Sequence, residues 1–85
     1  TVLEDTWPLI RAMVDGAACA SFAQIAEAIR VLAGRHHVIA EAAGAASVAA
    51  AMAGLAGQGN IVCIVSGGNI DPPKLGAILN GQSPF

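Results

Sequence analysis

Charge is scarce in this chain. Asp, Glu, Lys and Arg make up 12% of its 85 residues, against about a quarter in an ordinary soluble domain. A small domain standing alone needs polar surface, so much of this one is expected to lie buried against other protein. With four Lys+Arg and a net charge of −2, there is no basic stripe for a nucleic acid. The opening Thr1-Val2-Leu3-Glu4-Asp5 has no basic segment ahead of an apolar one, so it is not read as a secretory signal. It also has no initiator Met, and residues 1–85 read as a piece of a larger polypeptide, one partial domain. The two cysteines, Cys19 and Cys63, sit far apart in apolar stretches. They lack zinc-site spacing and read as buried, reduced thiols of a cytoplasmic protein.

From Ala42 to Ile70 no residue is charged, and a membrane span needs about 20 mostly apolar residues. The first half of this run is mainly Ala and Gly, and Gly57-Gln58-Gly59-Asn60 interrupts it with a polar turn. The run is therefore expected to be a core helix and a core strand, not a span.

What the chain does have is a strong apolar centre. Ile61-Val62-Cys63-Ile64-Val65 has four β-branched residues in five and reads as a strand buried on both faces. A glycine-rich turn follows at once, Ser66-Gly67-Gly68-Asn69-Ile70-Asp71. Ahead of it, Val38-Ile39-Ala40-Glu41 reads as a second strand, and the small residues of 43–53 as a helix able to pack very closely. Strand, helix, strand at this spacing predicts a βαβ unit with parallel strands and a right-handed crossover, an α/β fold.

The remaining elements follow from local signals. Thr6 or Trp7 caps a helix with Pro8 in its first turn, and Leu9, Ile10, Met13 and Val14 form its buried stripe. Residues 17–20 read as a short strand. Ser21-Phe22-Ala23-Gln24 has the capping-box pattern and predicts a helix to about Ala33, buried through Phe22, Ile25, Ile29 and Leu32 and ended by Gly34. Asp71-Pro72-Pro73 opens a last short helix, and Asn80-Gly81 ends it.

Two parallel strand ends bring Glu41 and Ser66 to one edge of the expected sheet, where open α/β sheets bind ligands. The turn lacks the lysine of a P-loop and the third glycine of a dinucleotide fingerprint. Ser66 follows Ile64-Val65 and so is not in a G-x-S-x-G elbow. On residues alone, Ser66 is either a structural turn residue or a site hydroxyl. Glu41 is either an acid suited to a helix N-terminus or a site group. His36 and His37 are adjacent, without carboxylate or Cys at ligand spacing, and read as a solvated helix end; no metal site is expected.

Four stretches together carry a resemblance: Thr6-Trp7-Pro8-Leu9-Ile10-Arg11, Val14-Asp15, Ala40-Glu41-Ala42-Ala43-Gly44-Ala45 and Val65-Ser66-Gly67-Gly68-Asn69-Ile70-Asp71. Over about residues 6–79 the chain resembles the C-terminal part of the threonine dehydratase and serine racemase family, pyridoxal-phosphate enzymes of fold type II. Many relatives have Pro or Gly where this chain has Ala42, which leaves Glu41 matched. The resemblance implies the C-terminal segment of a parallel-sheet, three-layer αβα domain.

The resemblance also implies roles. Ser66 hydrogen-bonds the pyridine nitrogen of pyridoxal phosphate, Gly67 and Gly68 let the backbone pass close to the ring, and Glu41 is a polar contact beside it. A hydroxyl can donate to an unprotonated nitrogen, which leaves the ring a weaker electron sink than an Asp partner would. That suits prompt loss of a β-hydroxyl. The family's covalent lysine, phosphate-binding glycines and cation site lie upstream. Lys74, the single lysine here, reads as a surface residue. No catalytic residue is expected in this chain, nor activity from it alone. Its expected partner is the N-terminal portion of the same enzyme, within a homo-oligomer. The implied reaction is α,β-elimination of threonine or serine to a 2-oxo acid and ammonia. Serine racemase, hydroxyaspartate dehydratase and a non-catalytic binding module or structural fragment are the alternatives.

Overall fold

The computed structural model describes residues 2–85, with side chains from residue 4 onward. Four helices form: α1 Val2–Met13, α2 Phe22–His36, α3 Ala42–Met52 and α4 Pro72–Leu79. No strand forms among the described residues. The expectation of a βαβ unit, an α/β class and a parallel-sheet αβα segment is therefore corrected. The chain is helical, with long connections that have no ladder.

The reason lies in what a strand requires. Ladder hydrogen bonds come from a neighbouring strand, and a segment buried on both faces needs cover on both. Residues 61–65 lie along α3, with Cys63 and Val65 half-buried. Val62 and Ile64 are 91% and 79% exposed. Residues 38–41 meet the following turn through one backbone bond, from the Glu41 N–H to the Gly67 carbonyl at 3.3 Å. One bond is not a ladder. Residues 17–20 also form no strand, and Cys19 is exposed where burial was expected; both cysteines are free.

α2 begins as its sequence demands. Ser21 is the N-cap, its Oγ accepting from the Gln24 N–H at 3.1 Å, while Gln24 Oε1 accepts from the Ser21 N–H at 2.8 Å. Its end differs from expectation. The helix runs through Gly34, and His37 takes the left-handed cap at φ 56°, a conformation in which His is enriched among non-glycine residues. The Val38 N–H bonds back to Leu32 O at 2.9 Å and closes the turn. The buried face is also rotated. Ala26, Ala28, Ile29 and Leu32 are buried and Ile25 only partly so. Phe22 stays largely exposed and stacks obliquely on Phe85, with ring centroids 5.8 Å apart.

α1 starts earlier than its proline suggests, so that Pro8 lies inside the helix. Among the described residues it packs against none of the other helices; of the expected buried stripe Leu9, Ile10, Met13 and Val14, Ile10 is half-buried and the other three are exposed. α4 begins as Asp71-Pro72-Pro73 predicts, with proline in the first turn where a missing N–H costs nothing. It ends at Asn80-Gly81 with Gly81 at φ +90°.

The core lies where α2 meets α3 and α4. It consists of Ala26, Ala28, Ile29, Leu32, Ala40, Ala45, Ala49 and Ile78. The alanines let α3 sit close against α2, as its small residues predict. Arg30 joins α2 to the end of α4, its Nη1 donating to Ile78 O at 2.9 Å and Gln82 O at 3.3 Å, and its Nε pairing with Glu27 at 2.9 Å. Among the described residues only Ile29 and Ile78 are large, fully buried side chains, while Trp7, Leu9, Met13, Val62 and Ile64 are all exposed. The radius of gyration is 14.3 Å, against about 12 Å for a compact domain of this length. The fold is open and carries more bare apolar surface than its core offsets. No described helix is long and apolar enough to cross a membrane.

Candidate functional site

The turn 66–68 is held by the first two turns of α3. Glu41 is the α3 N-cap, in extended conformation, and its side chain makes no capping bond. Its backbone N–H holds Gly67 O. Gly67 has φ +78°, a conformation that favours glycine, and the Glu41 carboxylate occupies the place a Cβ on Gly67 would take, with Cδ 3.1 Å from it. Gly68 passes equally close to the preceding connection, since a Cβ there would lie 2.6 Å from Ile39 O.

Gly44 is buried in the first turn of α3. A Cβ on it would collide with Ser66 O and stand 2.8 Å from Gly67 O, far inside van der Waals contact. One turn further on, Ser47 Oγ donates to Ile64 O at 2.9 Å, and the Cys63 thiol approaches Ser47 O at 3.6 Å. Ser66 is exposed, and its hydroxyl has no hydrogen-bond partner among the described residues. The result is an available donor with glycine backbone beside it, fixed from below by one helix.

The structure therefore brings Glu41 and Gly67 into contact and sets Ser66 next to them. A shallow cleft of about 230 Å³ adjoins this turn, smaller than the usual range for a complete small-molecule pocket. Glu41, Ala42 and Ala43 form one wall, Asn69, Ile70 and Asp71 another, and Lys74 and Phe85 the rim. Ser66 and Gly67 lie outside its lining. Both α3 and α4 point their N-termini towards the cleft. The backbone N–H groups at the start of α3 and its partial positive charge suit an acidic or polar ligand atom there, whereas α4 opens on Pro72 and Pro73, which have no N–H to offer.

Sequence reasoning missed Gly44 and Ser47. Their signal was the three-residue spacing 41, 44, 47, which puts them on one helix face. It placed Lys74 on the surface, and the side chain is indeed exposed; its Nζ lies 5.9 Å from the centre of the Phe85 ring. The place of Lys74 and Phe85 in the lining of the Glu41 cleft has no sequence signal, because it depends on how the connection 53–71 sets α4 against α2. His36 closes α2 and His37 caps it, both exposed. Among the described residues, no three His, Cys, Asp or Glu side chains stand together as a metal site.

No protein-family model and no solved structure matches the chain. Among curated proteins, the chain is similar to the L-threonine ammonia-lyase of Thermotoga maritima, with 41% identity over 76 residues. The match takes in 88% of this chain and 19% of that protein, so the chain spans less than a fifth of the length of the relative it resembles.

Proposed function

We propose that this chain is the part of a pyridoxal-phosphate-dependent threonine or serine dehydratase that holds the ring-nitrogen edge of the cofactor. The observation that carries this reading is its 41% identity with an L-threonine ammonia-lyase. The geometry of the turn supports it. Ser66 offers an unbonded hydroxyl in an exposed position, while the space that side chains on Gly67 and Gly68 would need is taken by the Glu41 carboxylate and Ile39 O, which hold the turn beneath it.

The residues present fit one edge of such a group. Pyridoxal phosphate, when bound, supplies the electron sink for loss of the α-proton and then of the β-hydroxyl. Ser66 would hold the ring nitrogen through an uncharged hydroxyl, which would not keep that nitrogen protonated. Glu41 closes the side of the turn, its carboxylate seated against Gly67 and its N–H on the Gly67 carbonyl. Lys74 lies by Phe85 at the cleft rim and is not assigned the covalent role.

The covalent lysine, the phosphate-binding loop and the groups that hold the substrate carboxylate belong, in this reading, to the N-terminal portion of the same enzyme, within a homo-oligomer. That portion also covers the bare apolar side of 61–65 and the exposed face of α1. Support comes from the open shape and from Val62, Ile64 and Met13 left without cover, since a surface this apolar marks an interaction site.

The test is to add pyridoxal phosphate to the full-length polypeptide and record its absorbance spectrum, then assay threonine and serine. Expected are a near-visible band and release of a 2-oxo acid with ammonia. A colourless protein without turnover overturns the reading in favour of a non-catalytic module. Racemised serine without ammonia assigns a serine racemase, and turnover confined to hydroxyaspartate assigns that dehydratase.

A further inference from the structure

We infer that Gly44 and Ser47 are positioning residues for Ser66: α3 is the template on which the Ser66 hydroxyl is set. The inference rests on the cofactor-edge reading of Ser66 and extends it to residues that touch no ligand.

The argument is geometric. Residues 41, 44 and 47 lie three apart and share one face of α3. That face grips the 64–67 backbone at successive points. Ser47 Oγ holds Ile64 O at 2.9 Å. Gly44 lies against the carbonyls of Ser66 and Gly67. The Glu41 N–H holds Gly67 O at 3.3 Å. Peptide units are rigid planes, so holding the carbonyls of Ile64, Ser66 and Gly67 restricts where the Cα of Ser66 lies and the direction in which its Cα–Cβ bond leaves the backbone. The groups Gly44 meets are backbone oxygens, which cannot swing aside as the end of a long side chain can. A methyl group on Gly44 therefore displaces the turn itself. A misplacement of about 1 Å at a reacting centre is enough to lose roughly 10²-fold in rate.

The test uses the full-length polypeptide, with Gly44→Ala, Ser47→Ala and Ser47→Thr compared with two controls. Gly34→Ala and Gly76→Ala add the same methyl group within α2 and α4, where nothing lies within 4 Å. Three quantities are measured: the spectrum and dissociation constant of added pyridoxal phosphate, kcat and KM with threonine, and hydrogen exchange of the Glu41 amide without cofactor.

Gly44→Ala is expected to shift the spectrum, to lower kcat by roughly 10- to 100-fold and to speed exchange at Glu41. Ser47→Ala is expected to do the same more weakly, Ser47→Thr to restore most of it by keeping the hydroxyl, and both controls to match wild type. If Gly44→Ala fails to fold, the Ser47 pair decides. Wild-type spectrum, affinity and Glu41 exchange in Ser47→Ala and in any folded Gly44→Ala overturn the inference while leaving the cofactor reading intact. A wild-type protein that binds no pyridoxal phosphate overturns both. Altered Glu41 exchange with unaltered cofactor spectrum and kinetics reduces Gly44 and Ser47 to structural residues, and also overturns the inference.

Discussion

The N–H of Glu41 donates to the carbonyl of Gly67 over 3.3 Å, and the Glu41 carboxylate fills the space that a side chain on Gly67 would need. Through this contact the start of α3 and the turn after residues 61–65 behave as one unit, and the exposed Ser66 hydroxyl is carried on it.

Under the proposed role, Ser66→Ala in the full-length polypeptide removes the hydroxyl offered to the ring nitrogen. A neutral hydrogen bond contributes about 1 kcal/mol, so cofactor affinity is expected to fall roughly fivefold and the bound spectrum to change. Spectral titration measures both. Unchanged spectrum, affinity and turnover would remove Ser66 from its assigned role.

Gly67→Ala carries two penalties: a left-handed conformation, at about 1–2 kcal/mol, and displacement of the Glu41 carboxylate. In a Glu41→Ala background only the first remains. Denaturant unfolding of the two single variants and the double variant is expected to show a coupling of about 0.5–1 kcal/mol between these positions. Additivity would mean that the carboxylate is not seated there in solution.

At the start of α2, Ser21→Ala deletes the acceptor for the Gln24 N–H. The expected loss is about 1 kcal/mol of stability, read as a lower unfolding midpoint at unchanged denaturant slope. Ser21→Asp keeps an acceptor and is expected to restore most of it.

Arg30 ties α2 to the Ile78 carbonyl of α4, in a part-buried bond, and to the Gln82 carbonyl just beyond it, in an exposed one. Arg30→Met retains the length and packing of the side chain and loses these bonds, at an expected cost of about 1–2 kcal/mol. Arg30→Lys has no fork with which to hold Glu27 and the two carbonyls at once and is expected to fall between. Equal midpoints for all three proteins would show that water replaces the guanidinium at no cost.

Val62 is 91% exposed in this chain. Under the proposed assembly the N-terminal portion covers it, so Val62→Asp is expected to destabilise the full-length polypeptide by more than about 2 kcal/mol, as a charge forced into an apolar contact does. A change within about 0.5 kcal/mol, as at an exposed site, would leave Val62 in solvent and remove that interface.

The features legible in the amino-acid order are those completed within a few residues. Ser21 and Gln24 satisfy each other's N–H groups at the start of α2, Pro72 and Pro73 open α4, Asn80-Gly81 closes it, and the small residues of α3 admit a close neighbour. Each depends on chemistry three or four positions away, so sequence alone determined it. The end of α2 is local too, but the glycine signal misplaces it: the helix passes Gly34 and stops at His37, where Val38 bonds back to Leu32 six residues earlier. Tertiary structure decided the rest. Residues 61–65 have strand composition, but a ladder requires another segment alongside, and 38–41 supplies a single bond. The buried face of α2 turns towards Ala26 and Ala28 because α3 and α4 dock there, leaving Phe22 outside. Gly44 matters because Ser66 and Gly67, distant in sequence, return to lie against it. These contacts join parts of the chain that no local periodicity links, so only the folded arrangement could select them.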